Sequence, residues 1–158
     1  MNDIEIRPAG RDDISAIVGL LVDDALGSGR DSQEDLTPYL AAFERVTADP
    51  NQELVVMTRP DPATGERTVI GTLQLTIIPG LSQRGTTRAL VEAVRIAGSE
   101  RGGGLGTILM HWTIDRARER GATLVQLTSN GTRENAHRFY RNLGFTDSHV
   151  GFKLTLRP

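Results

Sequence analysis

Arg101-Gly102-Gly103-Gly104-Leu105-Gly106 lies between a strand-like run, Thr87 to Ala97, and a helical face formed by Leu105, Ile108, Leu109 and Trp112. A helix N-terminus presents unpaired N–H groups and a partial positive charge, and glycines let an anion approach the backbone without Cβ obstruction. The segment therefore reads as a cradle for a pyrophosphate. A flexible connection is the alternative, since glycine runs are common punctuation. Two well-known phosphate loops fail on the residues themselves. No Gly is followed at the required spacing by Gly-Lys-Ser/Thr, and the only lysine, Lys153, lies far downstream. A dinucleotide fingerprint started at Gly104 would need its third glycine at Leu109.

Outward from this turn, the pattern predicts the remaining elements. Ile4 and Ile6 alternate with charged residues as a short strand ending at Pro8. With Asp12 as N-cap, Ile14, Ile17, Val18, Leu21 and Val22 form one helical stripe ending before Gly27. A second helix spans Ser32 to Ala48, with Pro38 better suited to its first turn than to its interior. Leu54 to Met57 and Thr68 to Ile78 flank a Pro- and Asp-rich turn as a hairpin, and Thr87 to Ala97 adds a third antiparallel strand. The helix after the turn runs until Gly121, the next strand covers Leu124 to Leu127, and a helix from Thr132 to Leu143 stops at Gly144. Val150 to Leu156 alternates as a final strand. The sum is an α/β domain with a mixed sheet.

The chain has 158 residues, 38% apolar and 24% charged, which suits one buried core, so a single domain over residues 1–158 is expected. There is no long apolar run and no apolar leader, and a cytoplasmic protein without a membrane partner is expected. A formal net charge of −2 from 18 basic and 20 acidic residues provides no global field for nucleic acid, so no nucleic-acid partner is expected. The absence of Cys excludes disulfides, thiolate metal sites and a covalent thioester on an enzyme cysteine. His111, His137 and His149 are scattered without carboxylate spacing, and no metal is expected.

At this point the chain resembles the GNAT family of N-acyltransferases, which use acetyl-CoA. Residues 101–106 are similar to that family's Arg/Gln-x-x-Gly-x-Gly/Ala signature, preceded by a strand, Val91-Glu92-Ala93-Val94-Arg95-Ile96, of the expected kind. Asn135-Ala136-His137-Arg138-Phe139-Tyr140-Arg141-Asn142-Leu143-Gly144-Phe145 is similar to the family's Asn-x-x-Ala/Ser-x-x-Phe/Leu-Tyr-x-x-x-Gly-Phe segment. The motifs cover the C-terminal half, and the first half agrees in element order. The resemblance implies a central, mostly antiparallel sheet of six to seven strands with about four helices on both faces. It also implies acetyl-CoA as co-substrate, a small-molecule amine acceptor and a possible homodimer.

The resemblance implies roles for particular residues. Backbone N–H groups of Arg101, Gly102, Gly103, Gly104, Leu105, Gly106 and Thr107 would hold the CoA pyrophosphate. The backbone of Val94, Arg95 and Ile96, where the strand splays from Leu124 to Leu127, would pair with the pantetheine arm like an added strand, one N–H polarising the thioester carbonyl. Asn135 would contact the same arm. Tyr140 stands where the family places a hydroxyl near the CoA sulfur and is the candidate general acid, with helix packing as the alternative reading. Glu92 is the candidate base. Strand alternation places it on one face with Val94 and Ile96, and apolar neighbours would raise its pKa, although a single strand Glu is often only solvated.

The acceptor is less defined. Asp23, Asp24, Asp31, Glu34 and Asp35 lie in the connection between the first two helices, which helps to wall the acceptor site in this family; an acidic wall would attract a cationic amine, while solvated surface is the stronger reading, since acidic residues also favour helix starts. Arg84 in the loop from Pro79 to Thr86 favours instead an amine bearing an acid or phosphonate group. Non-catalytic acyl-CoA binding and protein acetylation remain alternatives.

Overall fold

The computed structural model describes residues 3–156. By its internal packing the chain divides into two compact units, residues 1–126 and 127–158.

The first unit is built on a five-stranded sheet in the order β1-β2-β3-β4-β5: β1 Glu5–Pro8, β2 Gln52–Pro60, β3 Arg67–Ile78, β4 Arg88–Ile96 and β5 Leu124–Gln126. The pairs from β1 to β4 are antiparallel, and β4 pairs with β5 in parallel. This is the mixed α/β sheet that the pattern predicts, with five strands among the described residues where six to seven were implied. The β2–β3 turn forms as its residues suggest, the Asp61 carboxylate accepting the N–H groups of Ala63 and Thr64 at 2.8 and 3.0 Å.

Four helices accompany the sheet: α1 Ile14–Val22, α2 Thr37–Ala48, a single turn α3 Ser82–Gly85, and α4 Leu105–Glu119. In β2, Val55, Val56, Met57 and Thr58 are all buried, so both faces of the sheet are covered. Val56 packs with Ile14, Ile17 and Val18 of α1, and Leu36, Leu40 and Phe43 close over the same cluster. The adjacent Val55 faces the opposite side, beside Trp112 and Arg116 of α4. Full burial of each aliphatic side chain contributes roughly 1.5–3 kcal/mol.

Among the differences from expectation, three have a clear physical reason. α2 begins at Thr37 rather than Ser32, because Pro38 occupies the first turn and the Asp35 carboxylate accepts the Thr37 N–H at 2.9 Å. Asp13 rather than Asp12 closes the entry to α1, its Oδ2 accepting the Gly10 N–H at 2.7 Å while Arg7 binds the same carboxylate. The segment from Val150 to Leu156 is not a strand, and Val150, Phe152, Leu154 and Leu156 are exposed. Alternation supplies a strand pattern, but a strand also needs a ladder partner.

The second unit contains α5, Glu134–Asn142. Its end is a Schellman turn: the Phe145 N–H donates to Tyr140 O at 3.1 Å and the Gly144 N–H to Arg141 O at 2.9 Å. Gly144 takes φ 93°, a left-handed conformation that the lack of a Cβ makes accessible.

Candidate active site

β4 carries a bulge. Thr72 pairs with Arg95 and Gln74 with Glu92, so Ala93 and Val94 together oppose the single residue Leu73, and Ala93 takes φ 53°. This overturns the simple alternation expected from sequence. Paired residues share a sheet face, so Glu92 and Arg95 lie with Gln74, Thr72, Leu54 and Val56 on the α1–α2 side. Val94 and Ile96 fall on the opposite face. Glu92 is exposed rather than enclosed by apolar neighbours.

The bulge lies where β4 loses its outer neighbour. Pairing with β5 covers only Arg88, Ala89 and Leu90, while pairing with β3 continues to Ile96. The Ala97 N–H donates across to Ile70 O at 2.8 Å. Antiparallel alternation then turns the backbone groups of Arg95 toward β3 and those of Val94 and Ile96 outward. β4 thus offers a free edge that an extended polyamide can join.

Beyond this edge, a short 3-10 turn at Gly98–Glu100 leads into Arg101 and the glycines. Gly102 and Gly104 take φ 83° and 80°, and a Cβ built at either would meet no atom within 4 Å. Gly104 caps α4, whose first helical hydrogen bond runs from the Ile108 N–H to Gly104 O at 3.1 Å. The N–H groups of Leu105, Gly106 and Thr107 therefore have no intrahelical acceptor. Open space, unpaired N–H groups and the positive end of a 15-residue helix together fit a diphosphate.

The turn is braced by charge pairs from several elements. Arg59 of β2 binds Glu100, and Asp23, at the end of α1, accepts the Gly98 N–H at 3.1 Å and lies 3.5 Å from Arg101. Asp24 lies 3.5 Å from Arg95, both side chains being nearly buried. Asp31 accepts the Tyr39 hydroxyl at 3.0 Å, and Asp35 serves the start of α2. These carboxylates, read from the sequence as solvated surface or as an acidic wall, are therefore largely committed to structure. A signal for this was present: carboxylates just past a helix C-terminus oppose the macrodipole, so some other partner must hold them.

In the second unit, Tyr140 and Asn135 lie on α5, with Asn135 exposed. The Tyr140 ring is held edge-on between Phe139 and Phe145, with centroids 5.2 and 5.8 Å away. The Schellman turn fixes this contact, since it places the residue after Gly144 against the residue four positions before the glycine. His137 spends a ring nitrogen on Asn130 O at 2.8 Å.

A free strand edge thus runs into a glycine-rich helix start with unpaired amides, carried on a mixed sheet. The family model described as the acetyltransferase (GNAT) family matches residues 17–145, and the chain belongs to that family. The aminoalkylphosphonate N-acetyltransferase of Salmonella typhimurium is 41% identical over 56 residues, so the chain spans 36% of that curated relative and 35% of its own length is matched. A solved structure described as a transcriptional regulator from Bacillus halodurans C-125 has a TM-score of 0.89 at 39% identity, covering 97% of this chain and 99% of that one. A predicted acetyltransferase from Clostridium acetobutylicum, solved with acetyl-CoA, has a TM-score of 0.72 at 18% identity over 96% of each chain, a likeness of fold alone. Among the described residues, no helix is long and apolar enough to cross a membrane.

Proposed function

We propose that this chain is an N-acetyltransferase that moves an acetyl group from acetyl-CoA to the primary amine of a small molecule by direct attack. The observation that carries this reading is the free edge of β4 continuing into the unpaired amides before α4. Acetyl-CoA supplies the activated acyl group as a thioester. Amides from Arg101 to Thr107 hold its diphosphate, and Val94, Arg95 and Ile96 align its extended arm, with Asn135 as a further contact. Each such hydrogen bond contributes about 1 kcal/mol. An outward N–H of the β4 edge polarises the thioester carbonyl.

Glu92, exposed on the α1–α2 side, takes the proton that the amine must lose, directly or through water, and Tyr140 returns one to the departing thiolate. The absence of Cys supports direct transfer, because no enzyme thioester can form. A small-molecule acceptor draws support from the Salmonella relative, whose name specifies aminoalkylphosphonates.

An acetyl-CoA thermal shift, followed by thiol release across a panel of amines, tests the proposal. Turnover is expected for the wild type, with Glu92→Gln and Tyr140→Phe each reducing kcat by about 10²- to 10⁴-fold while acetyl-CoA affinity persists. Unchanged turnover in a variant removes that residue from its role. A second reading, a non-catalytic acyl-CoA-binding module, is favoured by the description of the Bacillus relative as a transcriptional regulator. It predicts binding without turnover.

A further inference from the structure

The two outward-facing carbonyls at the end of β4 are each contacted by a guanidinium, and each guanidinium is backed by a carboxylate from the end of α1. The Val94 carbonyl accepts from Arg95 Nη1 at 2.9 Å, and Arg95 Nη2 lies 3.5 Å from Asp24 Oδ2. The Ile96 carbonyl accepts from Arg101 Nε at 3.1 Å, and Arg101 Nη2 lies 3.5 Å from Asp23 Oδ2. The same Asp23 oxygen accepts the Gly98 N–H at 3.1 Å. Two consecutive aspartates thus serve two alternate carbonyls of one strand. Helix energetics does not account for their position, because α1 ends immediately before them and its dipole repels a carboxylate there.

A peptide carbonyl has two lone pairs, so an arginine on one leaves the other for a further N–H donor. The neighbouring bulge makes this arrangement consequential. Ala93, at φ 53°, interrupts the ladder just before Val94, and β5 pairs with β4 only as far as Leu90, so no outer strand holds these carbonyls in place. We infer that Asp23 and Asp24 are positioning residues of the acyl-donor site, each holding an arginine that orients one outward carbonyl of β4 toward an incoming polyamide. The inference rests on the function proposed above and adds residues that act through Arg95 and Arg101 rather than on the substrate.

The test compares the wild type with Asp23→Asn, Asp24→Asn, the double variant and Asp24→Glu. The measurements are acetyl-CoA affinity by calorimetry, steady-state constants for both substrates, and hydrogen exchange over residues 94–101 in the ligand-free protein. Asp24→Asn is expected to raise the Kd and KM for acetyl-CoA about tenfold, corresponding to about 1.4 kcal/mol. Its kcat and amine KM should stay within about twofold of wild type, exchange over 94–101 should accelerate, and Asp24→Glu should recover part of the loss. Asp23→Asn, in an exposed pair, should give a smaller shift of the same kind, and it keeps the test decisive should Asp24→Asn fold poorly. Acetyl-CoA affinity within about twofold of wild type in both single variants, or kcat and both KM values worsening together, would overturn the positioning role. A wild type that does not bind acetyl-CoA would instead overturn the functional reading beneath it.

Discussion

Gly104 sits at φ 80°, and the absence of any atom near its missing Cβ separates a backbone cost from a packing cost. Gly104→Ala should therefore lower stability by only about 1 kcal/mol, through left-handed strain. The new methyl group would nonetheless stand beside amides proposed to meet a diphosphate. A rise in acetyl-CoA Kd of tenfold or more, with melting temperature changed by about 2–4 °C, is the expected outcome. Equal affinity in the two proteins would argue against the cradle. Glu92 shows the other side of residue-level reading. Its identity as the strand carboxylate was legible, but its exposure and its separation from the Val94 face depend on a bulge that period-two counting does not anticipate.

Among the elements, α5 illustrates a signal that sequence carries well. Leu143-Gly144-Phe145 predicts a helix stop, and the same residues place Phe145 against Tyr140. Gly144→Val should destabilise the second unit by about 1–2 kcal/mol, since a β-branched residue at φ 93° is strained. If Tyr140 is the acid, kcat should fall more than acetyl-CoA affinity. Thermal unfolding and steady-state kinetics on the same preparation check both effects. The segment from Val150 to Leu156 marks the limit of such signals. Its alternation matches a strand, yet pairing is a property of two segments, and no strand forms there.

Across the first unit, carboxylates join elements distant in sequence. The Arg7 hydrogen bond holds the Asp13 carboxyl below its ordinary pKa despite partial burial. Burial pushes Glu53 upward, but its hydrogen bonds to Arg116 of α4 and to Arg120 just past the helix outweigh that and lower it. Both groups are depressed in the folded protein, so their contribution is present above the unfolded pKa values and is lost as pH falls through the folded ones. Melting temperature should accordingly hold near neutrality and decline below about pH 4. Glu53→Gln should flatten that acid limb and, at pH 7, cost about 1 kcal/mol, or about 3 °C. An acid limb of unchanged steepness would show that the β2–α4 linkage contributes little.

The order of the five strands and the longer helices, the β2–β3 hairpin, the glycine turn and the helix stops were readable from the chain, because periodicity, capping and left-handed glycines are local properties written in adjacent residues. The bulge in β4, the outward carbonyls of Val94 and Ile96, and the assignment of Asp23 and Asp24 to arginines were not. These depend on which strand pairs where, and on charges more than seventy positions apart being brought within reach of each other, a condition met only once the sheet and α1 pack together.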